Sequence, residues 1–524
     1  MYIMKRKIFK YPFAVLLAGA VLLAAAVPVG AAEDNLPESY SSVEKGYVTE
    51  VKTQHGLDCW AYASTATMES ALLSAGVETD NMSPDHLNLW SVTRSNGKGW
   101  IRGLSSSGYG SCALGYLASW QGGVFTSDLE DYTLSDYIYG DEAPEGLVRY
   151  GVTSARFLTK DDLTDVKRQI FRHGGIYTSL AWNQSMCMAK DSVSYYMPEN
   201  FTGSYQGHAV ELVGWDDNYP AEKFMTNLTG EKPQNNGAFL VKNSHGRSNP
   251  LGGYIWISYE DKYLLHSRYA PSFSIESFEE VNDSKKLLQN EIYGATYEFD
   301  YVAENNLIYM NHFDFTDDFF KIDKVIFKTE AQGSEYIIYF VPDENGVPAN
   351  DKSEWTAISS GTVDFKGYIC DDINDFEVPY KSGSIAIEIN STATGKTATL
   401  GVDEWLVDGS GDYVFINESV KGQSYLAHDG VIEDVLDWYK SNNNDDLGGT
   451  FIIKAIALKS NDYIKGDVNL DGIFNIKDAT EIQRYIAHLH NLEGRALRAA
   501  DFNGDGIINI TDATAVQRVL ARQN

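Results

Sequence analysis

Gln54-His55-Gly56-Leu57-Asp58-Cys59-Trp60-Ala61-Tyr62 is the stretch that decides how this chain is read. Far downstream the sequence offers Gly207-His208-Ala209-Val210 and then Lys242-Asn243-Ser244. A thiol, an imidazole and an amide in that order suit acyl transfer. A thiol is mostly protonated at neutral pH, so a nearby imidazole must take its proton and a third group must hold the ring. The run after Cys59, WAYASTATMESALLSA (60–75), is rich in Ala, Met and Leu, lacks Pro and Gly, and places apolar groups at helical spacing. It predicts a buried helix opened by Cys59, whose thiolate feels the positive helix end. Backbone N–H groups at that end, joined by the Gln54 side-chain amide, are placed to receive an oxyanion. His208 lies in the β-rich HAVELVGW and Asn243 ends GAFLVKNS, so both are expected on neighbouring strands of one sheet. Asp216-Asp217 reads as a turn rather than a metal site.

At these residues the chain resembles the papain-like cysteine peptidases, over roughly residues 36 to 270. Val48-Thr49-Glu50-Val51-Lys52 before the Gln, Gly214-Trp215-Asp216-Asp217 after the His, and Gly253-Tyr254-Ile255-Trp256-Ile257-Ser258-Tyr259-Glu260 add to the likeness. The resemblance implies an α+β fold with a helical half and a β-barrel-like half, and a peptide or protein substrate. It also implies Cys59 as nucleophile, His208 as base, Asn243 as orienting residue and Gln54 as oxyanion donor. In detail the chain is similar to the bacterial branch that carries a lectin-like domain behind the peptidase. Two features depart from the family. Gln54 and Cys59 are five steps apart where six are usual, and the intervening Cys is missing. The Asn is followed by Ser244-His245-Gly246 instead of Ser-Trp-Gly, which predicts a wetter, weaker Asn–His contact, with stacking by His245 as the other outcome.

Near the C-terminus a segment recurs. Asp467, Asn469, Asp471, Asn475 and Asp478 supply oxygen side chains at positions 1, 3, 5, 9 and 12, with Gly472 at the sharp turn and the carbonyl of Ile473 at position 7. Asp501, Asn503, Asp505, Asn509 and Asp512 repeat the pattern, with Gly506 and the carbonyl of Ile507. Two structural calcium ions are the expectation, and no cofactor is expected for catalysis. The duplicated loop-helix form resembles a dockerin over about residues 464 to 522, which implies a cohesin of a cellulosome-type scaffold as partner. The residues that would meet it are Ile476, Lys477, Gln483 and Arg484, and Ile510, Thr511, Gln517 and Arg518 in the second copy.

Between these modules, LIYMNHFDF, KVIFKT, YIIYFV, SIAIEI and FIIKAIAL alternate with Gly, Asn, Asp and Pro and read as an antiparallel β-sandwich, similar to the lectin-like jelly roll. That likeness raises carbohydrate as a ligand. No sugar-binding signature accompanies it, and the Trp and Tyr residues are read as core. The expected domains are a signal peptide (1–32), the peptidase (33–271), the sandwich (272–460) and the dockerin (461–524). Lys5-Arg6-Lys7, an apolar run and Gly30-Ala31-Ala32 predict a secretory leader, hence an extracellular, scaffold-bound protein.

With 42 basic against 73 acidic side chains the net charge is −31, which opposes nucleic acid and anionic membranes as partners. The four cysteines are too sparse for a disulfide framework, which suits a free thiol. The leading function is therefore a secreted, tethered cysteine endopeptidase. A catalytically silent papain-fold adhesin and a Cys–His transpeptidase are the alternatives.

Overall fold

The helix Cys59–Ser74 runs through the N-terminal half, with every residue from Cys59 to Leu72 buried. It has no polar face because it is packed on all sides. Trp60, Met68 and Leu72 share a core with Leu114 and Leu117 of the helix Gly110–Ala118 and with Val152, Ala155, Tyr177 and Ala209 of the sheet. The computed structural model describes residues 36–90, 100–101, 107–129, 147–226, 230–266, 271–291, 297–299, 307–344, 346–390, 400–404, 406–407, 414–415, 419–428, 430–441, 449–460 and 463–523. The expected leader and most of the glycine-rich stretch 97–110 lie outside them.

The sheet behind the helix is antiparallel around the site. Gln206–Asp216 lies between Ile176–Trp182 and Ala238–Lys242, with Leu180 opposite His208 and Glu211 opposite Lys242. His208 to Trp215 are all buried, so the strand reads as a near-continuous apolar run. Tyr254–Ser258 continues the sheet beyond Ala238–Lys242.

On the other side the sheet passes without a break into the middle of the chain. Ser272–Glu280, which the sequence places at the start of the sandwich, pairs with Tyr150–Leu158 and meets Ile176–Trp182 at Tyr177 opposite Phe273. Gly367–Glu377 then joins Tyr150–Leu158 through Gly367 opposite Arg156, and Phe319–Thr329 and Ile453–Lys459 follow outward. Gly367 has φ 133°, and a Cβ there would stand 2.1 Å from the Ala155 carbonyl oxygen, so this junction needs glycine.

The five apolar runs read as strands are strands: Leu307–Asp314, Phe319–Thr329, Glu335–Glu344, Ser382–Asn390 and Ile453–Lys459. They form two sheets closed over one core that includes Phe320, Phe327, Ile338, Phe340 and Ile387. Tyr309, Tyr336, Tyr425 and Tyr439 are buried, as expected of core aromatics. At the C-terminus the helices Ile476–Ile486, Gly494–Ala500 and Ile510–Gln523 pack around Val468, Ile482, Leu497, Ala513 and Val516. Among the described residues no helix is long and apolar enough to cross a membrane.

Candidate active site

Cys59 is the first residue of its helix, as the composition of the following run predicts, with Asp58 before it making no side-chain hydrogen bond to the helix N–H groups. His208 sits near the start of its strand, and Asn243 directly follows the strand Ala238–Lys242. The sheet register therefore brings residues 35 positions apart into contact: His208 Nε2 lies 2.8 Å from Asn243 Oδ1. That oxygen also accepts the Ser244 N–H at 2.8 Å, which fixes it as an acceptor. Nε2 must then carry the ring proton, so Nδ1 is left as the free base of the imidazole. The Cys59 Sγ accepts the backbone N–H of Ala209, next to His208, at 3.4 Å.

Burial dominates the electrostatics. It pushes the Cys59 thiol up, against the N–H groups of Ala209 and Trp60, while Asp58 adds to the rise. It pulls His208 down to about 4; the Asn243 hydrogen bond opposes this and the neighbouring His245 reinforces it. Each charged form alone is disfavoured, so proton transfer is favourable chiefly as a concerted thiolate–imidazolium pair.

The expected wetter, weaker Asn–His contact is not what the structure shows. His208 and Asn243 are only 6% and 7% exposed. The His245 ring stacks on His208 at 4.8 Å with 20° between planes, and Trp182 covers both. The Asn243 amide donates toward His245 Nδ1 at 3.4 Å, so this imidazole takes both the stacking place and a hydrogen bond. Trp182 is itself held by stacking on Tyr195 at 4.5 Å. Nothing local in the run around Trp182 signals this packing role.

Gln54 lies beside the site with its amide engaged locally. Its Nε2 donates to the Gly56 carbonyl at 2.6 Å and its Oε1 accepts the Ser244 hydroxyl at 2.5 Å. Cys59 and His208 open into a groove of about 430 Å³, walled by Leu57, Tyr177, Leu180, Tyr205 and Tyr263 and reached by His266. Its walls are largely aromatic and aliphatic, which suits an extended peptide with apolar side chains.

Behind the site lies a charged cluster that the sequence reading missed. Glu69 and Glu211 are buried, Lys242 is nearly so, and Lys52 reaches in from the rim. Lys52 donates to Glu69 at 2.6 Å, Ser70 to Glu211 at 2.5 Å, and Lys242 lies 3.7 Å from Glu211. Burial pushes Glu211 up to about 7, against Lys242 and Ser70. The available signal was a charged residue interrupting each apolar run: Glu69 in MESALL, Glu211 in HAVELVGW and Lys242 in GAFLVKN.

The two C-terminal loops fit calcium in residue type and order. Gly472 and Gly506 both have φ 79°, the left-handed turn the pattern requires. Asp478 and Asp512 are fully buried at 0% exposed, and Asp467, Asp471 and Asp478 form no ion pair among the described residues. Asp467 accepts the N–H groups of Asp471 and Gly472, and Asp478 those of Val468, Asn469 and Asn475, so both are oriented into one turn. Among the described residues no three His, Cys, Asp or Glu side chains converge; the ligand set needs the Asn oxygens and the Ile473 and Ile507 carbonyls as well.

Comparison with known proteins agrees with this layout. A papain family cysteine protease model matches residues 36–272, a lectin-like domain model residues 287–457, and a dockerin type I domain model residues 465–521. The solved structure of the clostridial cysteine protease Cwp84 after propeptide cleavage is 31% identical, covering 80% of this chain and 99% of that one, with a TM-score of 0.69. The cysteine protease and lectin-like domains of Cwp84, a surface layer associated protein of Clostridium difficile, are 30% identical over 81% of this chain and 90% of that one, again with a TM-score of 0.69. A comparison with curated proteins gives no match. The chain thus belongs to the papain family of cysteine proteases, with a lectin-like domain and a dockerin type I domain behind the peptidase.

Proposed function

We propose that this chain is a secreted endopeptidase in which Cys59 attacks the peptide carbonyl. His208 takes the thiol proton through Nδ1 and returns it to the leaving amine, and Asn243 holds the ring. The backbone N–H of Cys59 and the second Nε2 hydrogen of Gln54, the first being held by the Gly56 carbonyl, receive the oxyanion, and water then hydrolyses the thioester. The observation that carries the reading is the buried 2.8 Å His208–Asn243 hydrogen bond beside a thiol at a helix N-terminus, with Cys59 and His208 both lining a groove of about 430 Å³. Two calcium ions in the C-terminal loops order the dockerin, which anchors the enzyme to a cohesin-bearing scaffold outside the cell. The eight side chains expected to meet the cohesin are all exposed, which supports that role. The test is turnover of a fluorogenic peptide by reduced, calcium-loaded protein. Activity should be abolished by an epoxide or alkylating agent and fall at least about 10³-fold in Cys59→Ala. Turnover retained in Cys59→Ala would remove the assignment, and an amine acceptor captured in the product would make the enzyme a transpeptidase.

A further inference from the structure

The short helix Gly494–Ala500, which joins the two loop-helix repeats, makes a contact that a free tether would not. Arg498 is 1% exposed, although most arginines keep their head groups in water. Its Nη1 donates to the Tyr380 carbonyl at 2.6 Å and its Nη2 to the Phe315 carbonyl at 2.6 Å, with Asp317 Oδ1 at 3.4 Å. The guanidinium lies over the Phe320 ring, 4.8 Å from its centroid. All four partners belong to the lectin-like domain. Beside it Arg495 donates to Glu377 at 2.7 Å, and Lys381 of the sandwich donates to the Asp501 carbonyl at 2.9 Å. Tyr463, at the head of the dockerin, packs edge-on against Phe320 and belongs to both hydrophobic cores.

We infer that the dockerin is clamped onto the lectin-like domain by Arg498, so that the calcium module and the β-sandwich act as one body. A buried guanidinium is tolerated only where fixed acceptors replace its water, and here two loop carbonyls and a carboxylate do so at Nη1 and Nη2, while the buried Nε has no hydrogen-bond partner among the described residues. Surface contacts of chance are not desolvated in this way. The clamp is tied to the metal loops at its end: Asp501, the first expected ligand of the second loop, is the residue that caps the Gly494–Ala500 helix and receives Lys381. Loading the loop therefore fixes the helix that carries Arg498, and docking in turn braces the loop. The side chains expected to meet a cohesin stay exposed in both copies and none of them takes part in the contacts of this interface. The dockerin thus presents two open faces from one fixed mount, and the clamp stands whether or not a cohesin is the partner.

The experiment uses the full chain with its active-site thiol blocked against self-digestion. Calorimetry with and without a calcium chelator is run on the wild type, Arg498→Ala and, as a milder variant on the opposite surface, Glu377→Ala. In the wild type, chelation lowers the melting temperature of the sandwich transition. In Arg498→Ala that shift shrinks to less than about half and the dockerin melts as a separate transition, with Glu377→Ala intermediate. Small-angle scattering of the calcium-loaded wild type gives a compact particle, and the maximum dimension grows in Arg498→Ala. A sandwich transition indifferent to chelation in the wild type, or an already extended wild-type particle, would overturn the clamp.

Discussion

Replacing His245 by Trp tests how the second imidazole acts on the first. The two rings stack with centroids 4.8 Å apart, and His245 is exposed on its other side. Burial lowers the His245 pKa, so it gains a proton only below the ordinary histidine range. Once it does, a second positive charge on His208 is opposed. At an effective dielectric near 20, two unit charges at this separation repel by about 3.5 kcal/mol, or about 2.5 pK units. Solvent at the open side of His245 screens this to roughly 1 unit. Among the described residues, Asn243, whose amide donates to Nδ1, Thr53, whose backbone bridges to that of His245, and Trp182 also face it, and none of them is charged. In mild acid the proton therefore settles on His245, His208 stays neutral and the thiolate–imidazolium pair is lost. His245→Trp removes the competitor, so the acid limb of kcat/KM moves down by about one unit and activity one unit below the wild-type limb rises about fivefold. The alkaline limb stays where it is, because His245 is neutral there. The assay is kcat/KM on a fluorogenic peptide across pH for the wild type, His245→Trp and His245→Phe. An acid limb unmoved in both variants, or moved by Trp and not by Phe, would refute the charge argument.

Two further outcomes follow from buried groups. Glu211, held at about 7 against an ordinary 4.5, binds its proton more tightly folded than unfolded, so its contribution to stability is complete below pH 4.5 and lost as pH rises through 7. About 3 kcal/mol is at stake, and Glu211→Gln, which keeps an acceptor for Ser70, should flatten the fall of melting temperature across that window; an unchanged slope would show that Lys242 already neutralises the carboxylate. Stripping calcium should release the carboxylates of both loops to repel one another, with loss of helical signal from the C-terminal module and at least about 100-fold weaker cohesin binding, while peptide turnover persists; cohesin binding indifferent to a chelator would count against metal in the loops.

The Cys59 helix was legible because its composition and periodicity agree with its burial, and the strand bearing His208 and the strand that ends just before Asn243 because apolar runs mark them. The five sandwich strands were readable for the same local reason. Pairing between distant segments was not. Ser272–Glu280 alternates like any sandwich strand, and only its partners place it between Tyr150–Leu158 and Ile176–Trp182. The shielding of the His208–Asn243 bond was legible only in part, as the stacking by His245 that stood as the second outcome. Local sequence gave a polar ring where an indole is usual, whereas Trp182 and the flat stacking of His245 depend on the approach of separate strands. The clamp at Arg498 had no local signal, since an arginine on a short helix is ordinarily solvated.

The shared sheet also decides where the chain can be cut. A peptidase fragment ending at residue 271 would carry the whole catalytic sequence yet lose both Ser272–Glu280 and Gly367–Glu377, leaving the backbone of Tyr150–Leu158 bare along both edges. Phe273 would go with it, and that ring stacks at 4.8 Å on Tyr177, which walls the groove. A recombinant catalytic fragment should therefore extend through Glu280, and even then it exposes the edge that Gly367–Glu377 normally covers. The practical unit for expression and crystallisation is peptidase and sandwich together.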